Sequence, residues 1–402
     1  METPLIKEKT TVILTKDHFN FLVAIFCFWF AFYIYAPVFG IYLQSIGFTF
    51  SAIGIIFGSY GITQILLRFP LGVLSDFLQN IRKLLLVAGF IAALLSNLIL
   101  VYFDSFFYVL TARLLVGITA SMWVMATVLY SQYFTADQAS KAMGIIQFIT
   151  VATQFISMAI SGWLVHHLGW DFPFWVGAAA SIIGIYFALN IREVKHNPIS
   201  MPEKPVDYLK KTIKIPQLKM LTLLSLIAHA VLFITIFGFS PMYAAELGMK
   251  EQSLMWLTSA FFIPHSLASL SFVFFKLDRQ YNKVVLAICF FLSACSLIAI
   301  PLTESIFHFN LMHILIGLFL GFIFPILLGE VIHVSPTEYK MSAMGFFQSF
   351  YAMGIFLGPL IAGVITENSS LGTVFIFTGG LALFAVVLVL LFSRTKFDNS
   401  DA

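Results

Sequence analysis

Residues 373–393 read TVFIFTGGLALFAVVLVLLFS and contain no charged side chain. A helix needs about 20 mostly apolar residues to cross the roughly 30 Å hydrocarbon core of a bilayer, so this stretch is long enough to span a membrane. Eleven further stretches of similar character precede it, at residues 19–43, 50–74, 84–103, 106–134, 142–165, 172–190, 220–246, 252–275, 284–302, 307–334 and 342–366. The sequence therefore predicts an all-α integral membrane protein with twelve transmembrane helices, which we number spans 1 to 12 in chain order.

The composition of the chain supports this interpretation. Of its 402 residues, 60% are hydrophobic and 10% are charged, whereas a soluble domain has roughly 45–50% apolar and about 25% charged residues. The stretches are longer and more continuous than the roughly ten-residue alternating strands of a membrane barrel, which favours helices. The net charge of +3 is small, and the three cysteines lie within apolar stretches. Nucleic-acid binding, a disulfide framework and a metal site are therefore not expected.

The basic residues are distributed unevenly between the two sides of the membrane. If successive spans alternate in direction, 19 of the 22 lysines and arginines lie on the same side as the N-terminus, and Lys250 alone lies on the other side. The remaining two, Arg68 and Arg113, fall within spans. Because cytoplasmic loops carry the excess of lysine and arginine, we expect a multi-pass protein of the cell membrane with both termini in the cytoplasm.

The chain contains evidence of an internal duplication. The longest polar segment separates spans 1 to 6 from spans 7 to 12, and AMGIIQ at 142–147 recurs as AMGFFQ at 343–348, at the start of the equivalent spans 5 and 11. A parallel duplication of this kind places a site between the two halves, near the middle of the bilayer. The predicted domains are an N-terminal half, a basic cytoplasmic linker and a C-terminal half, at residues 1–191, 192–219 and 220–402.

The loop after span 2 reads GVLSDFLQNIRK at residues 72–83. It resembles the signature loop of the major facilitator superfamily, in which a glycine, an aspartate and a basic pair recur at similar spacing. It departs from that pattern at Phe77, where a basic residue is usual, and at Asn80, which stands in place of a glycine. A second copy after span 8 keeps the aspartate and a basic residue. The resemblance implies a conformational switch formed by Gly72, Asp76, Arg82, Lys83, Asp278 and Arg279.

Two other patterns extend the resemblance along the chain. Arg113-x-x-x-Gly117 in span 4 and Pro37 near the end of span 1 are similar to superfamily motifs at those places. The glycine–proline pair typical of span 5 in drug–proton antiporters is absent, and Gly358–Pro359 occurs in span 11 instead. The resemblance implies a fold of two pseudo-symmetric six-helix halves and a secondary transporter that moves a small-molecule substrate by alternating access.

The absence of the glycine–proline pair from span 5 counts against drug efflux without excluding it. Our leading hypothesis is proton-coupled efflux of a hydrophobic or amphipathic compound, as in an antiporter. Import of a metabolite or an organic anion is the alternative. No phosphate-binding glycine loop is present, so neither ATP nor another cofactor is expected. A non-transporting sensor or a lipid scramblase of the same fold remains a second alternative. A membrane enzyme would need a cluster of acidic or metal-binding residues, which the sequence does not show. We expect a monomer in the lipid bilayer.

An ionisable side chain within a span costs at least about 2.5–3.5 kcal/mol on insertion scales, so each one needs a reason. Span 1 contains no acidic residue. The candidates for proton coupling are therefore Arg113, Glu330, His229, His265 and His313. Arg113 would shift the pKa of a proton carrier or hold an anionic group of the substrate. In the alternative, it forms a structural pair or extends to the membrane surface. The glutamate would alternatively pair with charges of the inner loops, and each histidine would alternatively be a hydrogen-bonded packing residue.

Aromatic and amide side chains within the spans are candidates for lining an amphipathic cavity. Such a lining suits a hydrophobic or aromatic cargo. In the alternative, these side chains face lipid or pack in the core, as we expect for most of the 46 phenylalanines. The candidates are Tyr33, Tyr35, Gln64, Trp123, Gln147 and Gln348.

Overall fold

The computed structural model describes residues 15–73, 78–134, 139–194, 210–275, 277–336 and 340–392, and within them it contains helices and no strand. Helices occupy all twelve predicted spans. Their bounds, in chain order, are Thr15–Tyr33 with Ala36–Ser45, Phe50–Val73, Arg82–Tyr102, Phe106–Ser121 with Trp123–Ser131, Ala139–Leu168, Phe172–Leu189, Pro216–Ile234 with Thr235–Phe239 and Ser240–Glu246, Leu254–Phe274, Asn282–Ala299, Ile306–Val334, Lys340–Asn368, and Leu371–Phe392.

Eleven of these spans are long and apolar enough to cross a membrane. The other one, span 8, is 21 residues long, and its sequence includes Pro264, His265 and four serines. Its length and its place between spans 7 and 9 are those of a transmembrane helix. The predicted all-α membrane fold is confirmed. The inner side of the molecule is defined as the side of the N-terminus, which the basic residues predict to be cytoplasmic, and the outer side is the opposite one.

Spans 1 and 7, the first spans of the two halves, are both interrupted. In each of them a 19-residue helix begins at the inner side. The helix of span 1 ends in a turn before Pro37, and that of span 7 ends in the π-helical turn Thr235–Phe239, which precedes Pro241. Proline has no backbone N–H and clashes with the carbonyl four residues earlier, so it disturbs a helix just before itself. The matching interruptions agree with an architecture of two related halves.

Spans 2 and 11 hold the two halves together through a close helix contact. A Cβ atom added at Gly54 would lie 2.9 Å from the Gly363 Cα, and one added at Gly61 would lie 2.8 Å from the Ala352 carbonyl oxygen. Glycines at such positions let two helix backbones approach closely. Spans 5 and 8 form a second contact between the halves, where Gly162 packs directly on the backbone that precedes span 8.

Candidate functional site

A cavity of about 180 Å³, which we call the central cavity, lies between the two halves near the middle of the spans. Its lining is mostly aromatic and apolar with a few polar groups, which is typical of sites for small organic molecules. The lining residues are Trp29, Tyr33, Tyr60, Trp123, Gln147, Thr150, Gln154, His229, Leu232, Phe233, Phe237, Phe261, Phe262, His265, Tyr351 and Ile355.

The interruptions of spans 1 and 7 bring aromatic rings of the two halves together at this cavity. The ring of Tyr33, at the end of the first helix of span 1, lies 5.2 Å from the ring of Phe237 in the π-helical turn of span 7. A second pair across the halves, Tyr60 and Phe233, stacks with a centroid distance of 5.8 Å. Aromatic pairs of this kind add about 0.5–1.5 kcal/mol to the contact between the halves.

Two histidines of the C-terminal half reach the central cavity. The ring of His229 stacks on Tyr351 with a centroid distance of 3.9 Å and an interplanar angle of 4°. Its Nδ1 lies 2.8 Å from the Ser225 carbonyl oxygen. Because a carbonyl only accepts, Nδ1 carries the hydrogen, and Nε2 of the neutral ring is an acceptor. The Nδ1 of His265 is buried and has no hydrogen-bond partner among the described residues.

Arg68 is buried, with 3% of its surface exposed, and it contacts Tyr351, the residue on which His229 stacks. Its Nη1 donates a hydrogen bond to the Tyr351 hydroxyl, and its Nη2 donates to the Ala120 carbonyl at 3.3 Å. The guanidinium carbon lies 5.3 Å from the centre of the Tyr351 ring, within the range of a cation–π contact. Arg68 thus connects span 2 to span 4 of its own half and to span 11 of the other half.

Arg113 lies in a small extension of the central cavity that Tyr33 and Tyr60 also line. Its guanidinium carbon is 5.1 Å from the centre of the Tyr60 ring and 5.5 Å from that of Phe39. The Nε atoms of Arg113 and Arg68 are buried without a hydrogen-bond partner among the described residues. Among the residues that the structure describes, no ion pair joins either arginine to a carboxylate. The N-terminal half therefore presents two positive charges near the central cavity that no described carboxylate neutralises.

The outer side of the central cavity is closed by contacts between the halves. A Cβ atom added at Gly40 in span 1 would lie 2.7 Å from the Met242 sulfur in span 7, and one added at Gly54 would lie 2.5 Å from the Pro359 carbonyl oxygen. Gly162 in span 5 packs on the backbone that precedes span 8. Among the described residues, the outer parts of the two halves are therefore packed against each other in this conformation.

Two related halves around a shared cavity are also what the similarity of this chain to known proteins indicates. The description of the matching family is Major Facilitator Superfamily, and its model covers this chain twice, over residues 21–250 and 221–401. The chain belongs to the major facilitator superfamily. The two matches overlap at residues 221–250 and together run from residue 21 to residue 401, so this member has the superfamily architecture that the signature loop and the duplicated hexamer predicted.

Curated relatives of this superfamily member are bacterial transport proteins. Multidrug resistance protein MdtG of Enterobacter lignolyticus is 28% identical over 170 residues, or 41% of this chain and 40% of the relative. The Proton-coupled antiporter flippase LtaA of Staphylococcus epidermidis is 22% identical over 315 residues, or 75% of this chain and 76% of the relative. The match to MdtG thus spans less than half of that protein's length.

Solved structures of the superfamily show the same fold. The nucleoside transporter NupG superposes with a TM-score of 0.75, covers 95% of this chain and 100% of its own, and is 16% identical. The human organic anion transporter MFSD10 (TETRAN) superposes with a TM-score of 0.69, with coverages of 94% and 100% and 14% identity.

In this superfamily member, the predicted switch residues that the structure describes lie on the inner side, away from the central cavity. Asp76 falls outside the described residues. Gly72 lies near span 11, since a Cβ added to it would be 3.8 Å from the Gly345 Cα. Arg82 is buried, with 3% of its surface exposed, and the Lys83 ammonium donates to the Leu189 carbonyl at 3.2 Å.

The second switch loop is joined to one of the predicted proton-coupling residues. Arg279 Nε lies 3.1 Å from Glu330 Oε1, and Asn282 donates to the same oxygen at 2.7 Å. Asp278, which precedes Arg279, is exposed. Glu330 therefore pairs with a charge of an inner loop, which was the alternative that the sequence left open, and it does not line the central cavity.

Removing the two charges of this pair should reveal how they depend on each other. Arg279→Gln leaves a carboxylate whose side chain is only 8% exposed without its partner, whereas Glu330→Gln leaves an arginine that is 41% exposed. We therefore expect Arg279→Gln to lower the melting temperature by about 3–6 °C and Glu330→Gln by about 1–3 °C. The double variant should lose less than the two single variants together. Additive losses, measured by fluorescence-detected thermal unfolding, would show that the pair is not coupled.

His313 also lies away from the central cavity. Its Nδ1 donates to the Phe309 carbonyl at 2.9 Å, so its Nε2 accepts from the Ser240 hydroxyl at 2.8 Å. The ring is fully buried between spans 10 and 7. Both nitrogens are satisfied, so the ring joins the two spans as a hydrogen-bonded packing residue.

Three of the six predicted lining residues, Tyr33, Trp123 and Gln147, border the central cavity. The other three are placed elsewhere. Gln64 is fully buried and its amide donates to the Tyr60 carbonyl of its own helix at 2.9 Å. Tyr35 is fully buried and packs on Phe39 and Phe174. Gln348 is not part of the lining, and its Oε1 is buried without a partner among the described residues.

Sequence reasoning missed Tyr60 and Tyr351, the residues that contact the two arginines. The sequence around each tyrosine does not indicate this contact, because the tyrosine and its arginine lie on different spans that meet only in the folded protein. One pattern was available: Gln147, Thr150 and Gln154 are three and four residues apart, which places them on one face of span 5. All three line the central cavity.

Proposed function

We propose that this superfamily member is a secondary active transporter that moves a small organic solute by alternating access, coupled to protons. The observation that carries the proposal is the central cavity, which both halves line and whose outer side is closed by contacts between them. Rocking of the halves would open the outer contacts and expose the same cavity to the other side. The proposed rigid units are residues 1–191 and 220–402, joined by the linker 192–219, with both termini in the cytoplasm.

Efflux of a hydrophobic or amphipathic compound is the favoured direction. The aromatic lining of the cavity and the names of the relatives MdtG and LtaA support it. Import of a metabolite or an organic anion is the second candidate, and the uncompensated charges of Arg68 and Arg113 favour an anion. A growth-inhibition and metabolite screen of expressing and deleted cells tests direction and cargo class together. Counterflow of the labelled solute in proteoliposomes then separates a transporter from a non-transporting sensor, which would show none.

His229 and His265 are the proposed proton-coupling residues, because they alone among the candidate histidines line the central cavity. We expect His229→Gln to abolish accumulation driven by an imposed pH gradient, since glutamine keeps a donor for the Ser225 carbonyl but takes up no proton. Counterflow, which needs no net proton movement, should stay within about threefold of wild type, or roughly 0.7 kcal/mol.

His313→Gln is the matched control for this experiment, because His313 is buried between spans 10 and 7 and does not line the central cavity. It should retain gradient-driven accumulation. The same measurement on His265→Gln decides between the two cavity histidines. Wild-type accumulation in the double variant His229→Gln, His265→Gln would remove both residues from the coupling mechanism.

A further inference from the structure

A second cavity, of about 430 Å³, lies between spans 5 and 8, and we call it the side opening. It follows the inner half of both spans, because its lining runs over residues 144–155 of span 5 and 262–270 of span 8. The two spans touch at their outer ends, where Gly162 packs on the Glu251 carbonyl, but nothing lies within 4 Å of a Cβ added at Gly144. The spans therefore diverge toward the inner side, and the side opening fills the gap.

The side opening faces the lipid bilayer. Large apolar side chains that line it are exposed, with 68% of the surface of Phe148, 61% of Leu267 and 47% of Leu270 accessible. In a transmembrane helix, such side chains contact acyl chains, which are as apolar as leucine. Exposed apolar side chains of this kind suit access from the inner leaflet as well as from the cytoplasmic water.

The equivalent seam on the other face of the molecule is closed. Spans 2 and 11 remain in contact toward the inner side, where a Cβ added at Gly72 would lie 3.8 Å from the Gly345 Cα. The Arg68 guanidinium donates to the Tyr351 hydroxyl across this seam. Among the residues that the structure describes, access from the bilayer is therefore one-sided.

The side opening adjoins the central cavity, because Gln147, Phe262 and His265 line both. Arg113 lies on the far side of the central cavity, in the extension that shares Tyr33 and Tyr60 with it. The three cavities therefore form a row that begins at exposed apolar side chains and ends at a guanidinium that has no carboxylate partner in the described part of the chain. An uncompensated charge in a site of low dielectric favours a ligand of opposite charge.

We propose that the transported solute is an anionic amphiphile, and that it enters the central cavity from the inner leaflet through the side opening. Its apolar part occupies the side opening while its charged group lies toward Arg113. This inference rests on the proposed transport function and specifies its substrate class. A water-soluble organic anion, in contrast, would not need the side opening.

The test uses two fluorescent single-chain probes of matched length, an NBD-labelled lysophosphatidylglycerol and an NBD-labelled alkyl trimethylammonium, with labelled benzenesulfonate as a water-soluble anion. The full chain is reconstituted in liposomes, and movement of the NBD probes is followed by dithionite quenching. Ala152→Trp fills the side opening, which Ala152 lines. Ile160→Trp is the matched control, since Ile160 lies on the same helix, is 39% exposed and is not part of either cavity.

We expect the wild-type protein to move the anionic probe and not the cationic one. Ala152→Trp should slow movement of the anionic probe at least about tenfold, and Ile160→Trp should leave it unchanged. Arg113→Met should abolish it and Arg113→Lys should retain a part. Equal rates for the two charges, or a wild-type rate for Ala152→Trp, would overturn the proposal. So would counterflow of benzenesulfonate without movement of the anionic probe, although the transport function would then stand.

Binding separates failure of this inference from failure of the proposed function. Tryptophan emission is quenched when an NBD group approaches Trp29 and Trp123, which line the central cavity. The measurement uses nanodiscs and a background in which the four other tryptophans are phenylalanine. In it, the anionic probe should quench the parent protein and Ile160→Phe more than Ala152→Phe, which fills the side opening without adding a tryptophan. Such binding without any transport would support entry through the side opening and contradict the transport function. Equal quenching in all three proteins would contradict entry by this route.

Discussion

Replacing Gly54 with valine should hold the protein open on its outer side and reduce transport about 100-fold or more. In the closed outer contact, a Cβ at this position would lie 2.5 Å from the Pro359 carbonyl oxygen and 2.9 Å from the Gly363 Cα. Both are backbone atoms, which cannot move aside as a flexible side chain does. Overpacking of this kind costs about 1–3 kcal/mol, and a closed state destabilised by about 2.7 kcal/mol is populated 100-fold less.

Two measurements check this expectation. Transport of the solute that the growth screen identifies is compared with that of Gly380→Val, a control in span 12 where nothing lies within 4 Å of an added Cβ. Labelling of a Phe57→Cys reporter by an impermeant maleimide, in a background without native cysteines, reports the outer side directly. Phe57 is 3% exposed in the closed form, so its labelling should rise in Gly54→Val. Unchanged labelling together with wild-type transport would contradict the closed outer contact.

Replacing Arg68 with methionine should lower transport by a similar factor. The guanidinium donates to the Tyr351 hydroxyl and the Ala120 carbonyl and lies over the tyrosine ring. Its loss removes two charge-assisted hydrogen bonds at about 1.5–3 kcal/mol each and a cation–π contact. Since the contacts to Tyr351 join span 2 to span 11, the seam that they close should separate.

Conservative variants distinguish the charge from the geometry. Arg68→Lys keeps the charge but lacks the planar fork, so we expect an intermediate loss of about tenfold. Tyr351→Phe keeps the ring that stacks on His229 but not the hydroxyl, and should lose about threefold to tenfold. Equal loss in Arg68→Lys and Arg68→Met, with normal elution on size exclusion, would show that the fork and not the charge is required. Wild-type transport in Arg68→Met would rule out a role for this bridge.

The twelve spans could be predicted because transfer of about 20 apolar residues into a bilayer is a local property of the sequence. The helix ends were less well predicted. Span 5 was expected over 142–165 but extends over Ala139–Leu168, since a helix continues into the interface where hydropathy has already fallen. The π-helical turn in span 7 was not predicted, although Pro241 marks its position.

The candidate site was predicted only in part, because it depends on contacts between distant residues. Arg68 and Tyr351 are separated by 283 positions, and hydropathy does not reveal which face of one span meets another. Gln64 was expected at the cavity, but its amide bonds to a carbonyl of its own helix. Glu330 shows the same limit, because this residue of span 10 has its partner Arg279 51 positions away, in the loop after span 8.

The two copies of the hexamer occupy different surroundings in one molecule. AMGIIQ borders the gap between spans 5 and 8, while AMGFFQ lies where span 11 packs on span 2. The hexamer therefore does not decide by itself whether its seam is parted or packed. The difference comes from the rest of the two contacts, since Gly54 and Gly61 let span 11 approach the backbone of span 2 closely.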